Sequence, residues 1–400
     1  MKILIVANNL SQGGIQTSLI NLLKEISKDK KYEIELFLFS GENDKINEIP
    51  KSVKIIEGNY LLRLTGVSFS EIVRKKNIIN IIVRIILMLL VRVLKPKRYF
   101  DLLFKFNKNS TCYDYAVSYF NDIPNTYFNK GATYYVLKWV NTKKKVGWVH
   151  TDIRQANFDI EYYKNEYKKF DYIINVSKHC KKVYDELIPE QKDKTFVIYN
   201  FFSIEDIKTK SIKQQSIIQK SENYKNFITV ARIDNVSKRI DRIVDIVNIL
   251  SKKNMKNFKW YIIGDGPDYK IIKKKVKQNN LEKYIILLGS KKNPYSYIKN
   301  SDAFILTSDF EGFPMVVGES LVLGIPIIST NYNSVREQIK NGYNGIIVEK
   351  RDSESFSRVL EGILRNNDII TNLKENIQKE PLTNIIAKKQ FDEIFGEIDE

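Results

Sequence analysis

A chain of 400 residues, 43% hydrophobic and 12% aromatic, is longer than one core usually serves and rich enough to bury two, which excludes a disordered polypeptide and points to two globular domains. Its formal net charge of +18 sets up a surface field that attracts phosphates, whether of nucleotides, nucleic acid or lipid headgroups, without choosing among them. Its two cysteines, Cys112 and Cys180, have no CxxC or His-rich partner spacing, which excludes a disulfide framework and a zinc site and suits reduced thiols in a cytoplasmic protein.

The chain opens on KILIVA (2–7), an apolar run too short for a secretory leader and patterned like a first strand. NNLSQGG follows as a loop, IQTSLINLLKEIS as a helix and IELFLFS as a strand, a βαβ start. Gly13 and Gly14 stand just before that helix, where amides without side chains let a phosphate approach closely. The pair lacks the GxGxxG fingerprint, which argues against NAD.

Residues 72–98 join an apolar stretch to Arg74, Lys75, Lys76, Arg84, Arg92, Lys95, Lys97 and Arg98. The uncharged part, Ile85 to Val91, is too short to cross a bilayer. Two readings fit the segment: an interfacial helix drawn to an anionic membrane surface, or an ordinary core-facing helix with a basic exposed side. Short strands follow at 114–119, 144–150 and 171–177. His150 closes the second of them, where a loop begins, and that position favours it for a site role over His179, the only other histidine.

Residues 203–226 are polar, charged and weakly periodic, and read as an interdomain connection with the boundary near residue 205. Beyond it strands at 227–233, 260–264, 284–289, 303–307 and 326–330 alternate with helices at 239–251, 268–279, 294–300 and 315–323. Repeated βα units call for parallel sheets with helices on both faces. The expected fold is therefore α/β, two Rossmann-like domains whose parallel sheets face a central cleft, with ligand beyond the carboxyl ends of the strands. The domains run 1–204 and 205–382, and residues 383–400 form a C-terminal helix placed to pack back on the first domain.

The stretch SDFEGFPMVVGESLVLGIP (308–326) puts Glu311 just past the carboxyl end of AFILT, Pro314 where a helix begins and Glu319 inside that helix. The helix start offers unpaired N–H groups and a dipole that favours an anion by roughly 0.3–1 kcal/mol. Carboxylates accept hydrogen bonds only, so the flanking pair suits hydroxyl groups better than more phosphate. An anion bracketed in this way describes a nucleotide sugar, whose diphosphate lies between a ribose and a hexose. Spacing alone is equally met by a solvated loop carboxylate and a dipole partner.

The longer run SDFEGFPMVVGESLVLGIPIISTNYNSVREQIKNGYNGIIV (308–348) resembles the GT4 family of retaining, GT-B glycosyltransferases of the bacterial surface-polysaccharide type, and the likeness covers most of the chain. The E-x7-E pair, the Gly-Phe-Pro, the Gly-x-Pro and the later Arg336-Glu337 all match together. The resemblance implies that Glu311 and Glu319 bind donor-sugar and ribose hydroxyls, with Gly312, Phe313, Pro314, Met315 and Val316 against sugar or phosphate. TVARIDNVSKRID is similar to the family's phosphate segment and gives Arg232 and Lys238 to the diphosphate, with Ala231 where the family often has Gly. IIGDGPD is similar to its Gly-x-Gly-Pro turn, and LLGSKKNPYSYIKNSDAFILTS to its nucleobase-side segment. QGGIQTSLINLL is similar to its glycine-rich first loop and adds Gly13 and Gly14 to the phosphate contacts. His150 takes the place of a family histidine near the reacting sugar, and Asp152 is a weaker candidate for acceptor contact.

The family likeness thus implies a first domain on the acceptor side, a second that holds the nucleotide-sugar donor, and transfer of a hexose from a UDP-sugar to a saccharide or lipid-linked acceptor in capsule or exopolysaccharide synthesis. Glu311 and His150 are the catalytic candidates, and Glu311 is assigned to sugar binding because sequence does not set it on the sugar face that a double displacement needs. No strict D-x-D triplet occurs, so no metal and no cofactor is expected. The enzyme would sit peripherally at the inner face of the cell membrane and take no nucleic-acid partner. The competing readings are a nucleotide-sugar epimerase of the same fold and a basic nucleic-acid binder, the latter without a recognised motif.

Overall fold

Runs of Ile, Leu and Val bounded by polar turns become the strands of two parallel sheets. The computed structural model describes the chain apart from residues 12, 41–44, 68, 108–109, 121–130, 155–158, 214–215, 222 and 397–400. It divides into two compact units, Met1–Phe201 with Ile385–Glu400, and Phe202–Asn384.

The first unit holds a seven-stranded sheet of β1 (Lys2–Ala7), β2 (Glu33–Leu38), β3 (Lys54–Glu57), β4 (Cys112–Ser118), β5 (Asn141–Val149), β6 (Tyr172–Asn175) and β7 (Thr195–Val197), in the order β3-β2-β1-β4-β5-β6-β7. Every pairing is parallel. Ile3 to Ala7 are all buried, the continuous apolar run that a parallel strand covered on both faces requires. The helix Ile385–Phe395 belongs to this unit: Tyr32 Oη donates to Asp392 Oδ1 at 2.8 Å, and Tyr115 Oη donates to the Ile394 carbonyl at 2.9 Å. Both cysteines are free thiols, Cys112 exposed and Cys180 buried.

The basic, apolar segment of this unit is the helix Ile78–Lys105, which breaks at Lys95 (φ 62°, ψ 154°). The cause is Pro96, whose ring excludes the helical conformation from the residue before it and removes a backbone donor. The inward face carries Leu87, Val91, Phe100 and Phe104, all buried. The outward face carries Ile78, Ile79, Ile82, Ile86, Leu89 and Val93, which are 52–80% exposed. The exposed side therefore carries this apolar row together with Arg92, Lys95, Lys97 and Arg98, which are exposed as well, so the helix buries one face in the core and shows an exterior that is both apolar and basic. No helix among the described residues is long and apolar enough to cross a membrane.

The second unit holds a six-stranded parallel sheet of β8 (Lys225–Val230), β9 (Phe258–Ile263), β10 (Ile285–Gly289), β11 (Ala303–Leu306), β12 (Ile327–Thr330) and β13 (Gly345–Val348), in the order β10-β9-β8-β11-β12-β13. The order reverses between β8 and β11, and the loops leaving the carboxyl ends of such neighbours form a crevice that holds ligands in open α/β sheets. The polar stretch read as a connection begins with a helix, Ile204–Lys213. Acidic Glu205 and Asp206 in its first turn and Lys210 and Lys213 in its last complement the helix dipole, and Ile207 packs with Phe202 and Met315.

Candidate active site

In the second unit, the loops that follow β8 and β9 approach each other because two glycines let them. The loop after β8 donates from Ala231 N to the Ile263 carbonyl and from Ile233 N to the Asp265 carbonyl, each at 3.0 Å. A Cβ on Gly264 would lie 1.8 Å from the Ala231 oxygen, and one on Gly266 would lie 2.3 Å from the Ile233 oxygen. Gly264 also has φ +152°, so no other residue suits the position. The Asp234 carboxylate then closes the turn by accepting from Ser237 N at 2.7 Å and Ser237 Oγ at 2.8 Å.

That turn presents Lys238 to Glu311, on the loop after β11. Lys238 Nζ donates to Glu311 Oε1 at 2.6 Å, and Ser308 Oγ donates to the same oxygen at 2.7 Å. Ser334 Oγ donates to the Glu311 carbonyl at 3.0 Å, and Thr307 Oγ1 to that of Lys238 at 3.0 Å. Glu311 is thus fixed through one carboxylate oxygen, while Oε2 accepts no hydrogen bond among the described residues. Arg232, on the same turn as Lys238, is exposed, and its side chain makes no ion pair among the described residues.

Gly312 and Pro314 are buried, Phe313 and Val316 partly so. Pro314 (φ −65°, ψ 122°) is the residue before the helix Met315–Val322, one place ahead of the first turn expected for it. Met315 and Glu319 are buried, and Tyr295 Oη donates to Glu319 Oε1 at 3.1 Å. The helix lies close to Phe202: a Cβ on Gly318 would stand 2.1 Å from its Cζ. Gly318→Val is expected to lower stability by about 1–3 kcal/mol through overpacking, read as a smaller urea midpoint.

A second network braces the loop after β11 from below. Asp309 accepts from Arg239 Nη1 at 2.9 Å and from Arg242 Nη2 at 2.8 Å, while Arg242 Nη1 donates to the Thr307 carbonyl at 2.6 Å. Burial pushes the Asp309 pKa up, but the two guanidinium groups outweigh it and hold the carboxyl below its ordinary value. Asp309, Ser308, Ser334, Arg239 and Arg242 were not singled out in the sequence. Ser308 alone had a local signal, an S-x-x-E spacing to Glu311.

The remaining candidates lie in the first unit. Gly13 is the residue before the helix Gly14–Ile26 and has extended backbone; a Cβ on Gly14 would meet open space. His150 Nε2 lies 2.7 Å from the Tyr119 carbonyl, which only accepts, so the proton is on Nε2 and Nδ1 is the acceptor. Burial pushes the imidazole pKa down from 6.5 to about 4, with the Tyr119 carbonyl opposing. The unfolded chain therefore binds a proton near 6.5 that the folded chain refuses until about 4, so stability falls as pH drops through this window. Thermal melts from pH 7 to 4.5 are expected to show this loss, and His150→Gln to flatten it.

Asp152 is buried beside His150. Its Oδ1 accepts from Arg154 N at 2.9 Å and Arg154 Nε at 3.2 Å; its Oδ2 accepts from Arg154 Nη2 at 2.9 Å and His179 Nε2 at 3.0 Å. Burial pushes its pKa up, yet His179 and Arg154 together hold it well below the usual carboxylate range. All four acceptor positions are engaged. His179, given no part in the sequence reading, is one of the groups that orient this loop.

Residues 210–380 match the family model described as Glycosyl transferases group 1. An uncharacterised glycosyltransferase of Methanocaldococcus jannaschii is 28% identical over 210 residues, 49% of this chain and 50% of that protein. The N-acetylgalactosamine-N,N'-diacetylbacillosaminyl-diphospho-undecaprenol 4-alpha-N-acetylgalactosaminyltransferase of Campylobacter jejuni is 26% identical over 204 residues, 51% of this chain and 53% of that protein. The chain spans about half the length of these curated relatives. Among solved structures, Anabaena Alr3699/HepE in complex with UDP and glucose superposes with a TM-score of 0.68 at 17% identity, over 100% of both chains. That likeness shows the fold: two α/β units with parallel sheets, as in GT-B glycosyltransferases.

Proposed function

We propose that the protein is a glycosyltransferase that moves a hexose from a UDP-sugar to a lipid-linked saccharide, with retention at the anomeric carbon, during synthesis of a capsule or related surface glycan. The observation that carries this reading is the Lys238–Glu311 pair at the β8/β11 reversal, in front of the helix Met315–Val322 and inside the span that matches the family model. The solved neighbour that holds UDP and glucose supports the donor class, and the Campylobacter relative, named for a diphospho-undecaprenol acceptor, supports the acceptor class.

In this mechanism the diphosphate lies against Lys238, Arg232 and the helix amides, and Glu319 takes the ribose hydroxyls. Glu311 Oε2 accepts from a sugar hydroxyl. As the bond from the anomeric carbon to the phosphate oxygen breaks, negative charge grows on the diphosphate. Each charge-assisted bond from Lys238 or Arg232 stabilises it by roughly 1.5–3 kcal/mol. The acceptor hydroxyl attacks the same face of the sugar, its proton passes to the leaving phosphate, and UDP departs.

Lys238 and Arg232 supply the charge that a divalent metal supplies elsewhere, so activity is expected to survive a chelator; strict loss restored by manganese contradicts this part. The exposed apolar face of Ile78–Lys105, flanked by Arg74, Lys76, Arg92 and Arg98, suits a peripheral position on an anionic membrane at the cytoplasmic face. The transferase reading is tested by UDP release from a panel of UDP-hexoses with and without a polyprenyl-diphosphate-linked saccharide. Release that requires both substrates supports it, and no binding or turnover of any member contradicts it.

A further inference from the structure

The break in the helix Ile78–Lys105 opens a cavity of about 470 Å³ in the first unit. Val93, the last exposed apolar residue before the break, is part of its lining. Lys95, Lys97 and Arg98, which follow at the break, line it too, and Phe100 and Tyr134 add an aromatic wall. The acidic Glu166 at the rim is already engaged by Lys97 at 2.9 Å and Lys169 at 2.6 Å. Lys95 and Arg98 are exposed, and their side chains make no hydrogen bond or ion pair among the described residues.

We propose that this cavity binds the phosphate headgroup of an anionic lipid held in the bilayer. The inference rests on the membrane reading above and adds a specific site to it. Three observations favour a lipid over a free anion. The cations are paired with an apolar wall that inorganic phosphate would leave unused. They stand at the break that follows the exposed row Ile82, Ile86, Leu89 and Val93, so that with this row among acyl chains Lys95 and Arg98 are placed to reach the headgroups. Finally, the Lys95 ammonium and the Arg98 guanidinium both line the cavity without a carboxylate partner among the described residues, and a phosphate accepts hydrogen bonds from both.

The test uses the full chain and dihexanoyl phosphatidic acid below its micelle concentration, titrated by calorimetry, with inorganic phosphate in a parallel arm. The double variant Lys95→Gln/Arg98→Gln is compared with Arg74→Gln/Lys76→Gln, which removes the same charge from elsewhere on the segment. All four side chains are exposed, so both variants retain the fold. The expected result is saturable binding of the short lipid that weakens about tenfold or more in the first variant and not in the second. Equal loss in both variants, equal affinity for inorganic phosphate, or no saturable binding overturns the site. Flotation on phosphatidylcholine vesicles with and without phosphatidylglycerol separates the two claims. A protein that floats on the anionic vesicles yet ignores the short lipid keeps the membrane reading and loses the headgroup site; one that binds the short lipid but never floats overturns occupancy by a bilayer lipid.

Discussion

Glu311→Gln is expected to lower kcat/KM by about 10²–10³-fold with little change in melting temperature, the usual scale for losing one preorganised polar group at a reacting centre. The substitution keeps the shape and a carbonyl oxygen that Ser308 Oγ and Lys238 Nζ can still reach, so the loop after β11 stays in place. What it removes is the negative charge, leaving a weaker acceptor for the sugar hydroxyl and a Lys238 without its counter-ion. An amide also presents two N–H donors to a position that needs an acceptor. Steady-state UDP release checks the prediction. A variant that retains full activity would remove Glu311 from the site, whereas a variant that has unfolded would show it in the melt.

The largest effect on stability belongs to a residue with no proposed contact to ligand. Asp309→Ala is expected to destabilise the second unit by about 3–5 kcal/mol, because it leaves the buried Arg242 guanidinium without a carboxylate partner and takes one of two from Arg239. Arg242 is 4% exposed and would keep only its bond to the Thr307 carbonyl, and Arg239 would keep only Asp241. Asp309→Asn, which still accepts one bond, should cost less. Urea unfolding followed by fluorescence separates the two variants, with the alanine protein at the lower midpoint. Equal midpoints for Asp309→Ala and the parent protein would mean that the arginines find water and that the network contributes little.

The βα alternation of the second half was readable from the sequence because its apolar runs are continuous, as strands covered on both faces demand. Glu311 and Glu319 were readable because both lie in one short stretch after a strand. Their partners were not. Lys238 and Glu311 are 73 residues apart, and Asp309 lies 70 and 67 residues from Arg239 and Arg242. Only the adjacency of β8 and β11 brings these groups together, and strand order is not encoded in any local pattern. The same holds for Asp152 and His179, which meet through the loop after β5 and the helix Lys178–Leu187. In a chain this rich in lysine and arginine, a single ion pair leaves no compositional trace.

Other differences have local causes that were present in the sequence and outweighed. Ile204 and Ile207 give the polar stretch after residue 202 just enough apolar surface to seat a helix, though its Lys, Gln and Ser content reads as a linker. Pro96 forecast a break in the segment 72–98, but the apolar periodicity on both sides of it masked the consequence. The exposure of that helix's outer face was the least legible feature, since an apolar residue reads the same whether it faces a core or a lipid.

The most direct test of the central claim, that the second unit is a nucleotide-sugar site built on Glu311 and Glu319, is the thermal stability of the purified protein with UDP, GDP, ADP and their sugar conjugates, with and without magnesium, beside Glu319→Ala. A ligand at about a hundredfold its dissociation constant adds roughly 2.7 kcal/mol to the folded state. The predicted result is stabilisation by UDP and a UDP-sugar that is lost in Glu319→Ala and indifferent to magnesium. No response to any nucleotide, with stabilisation by DNA or RNA instead, would contradict the account and return the chain's positive charge to a nucleic-acid partner.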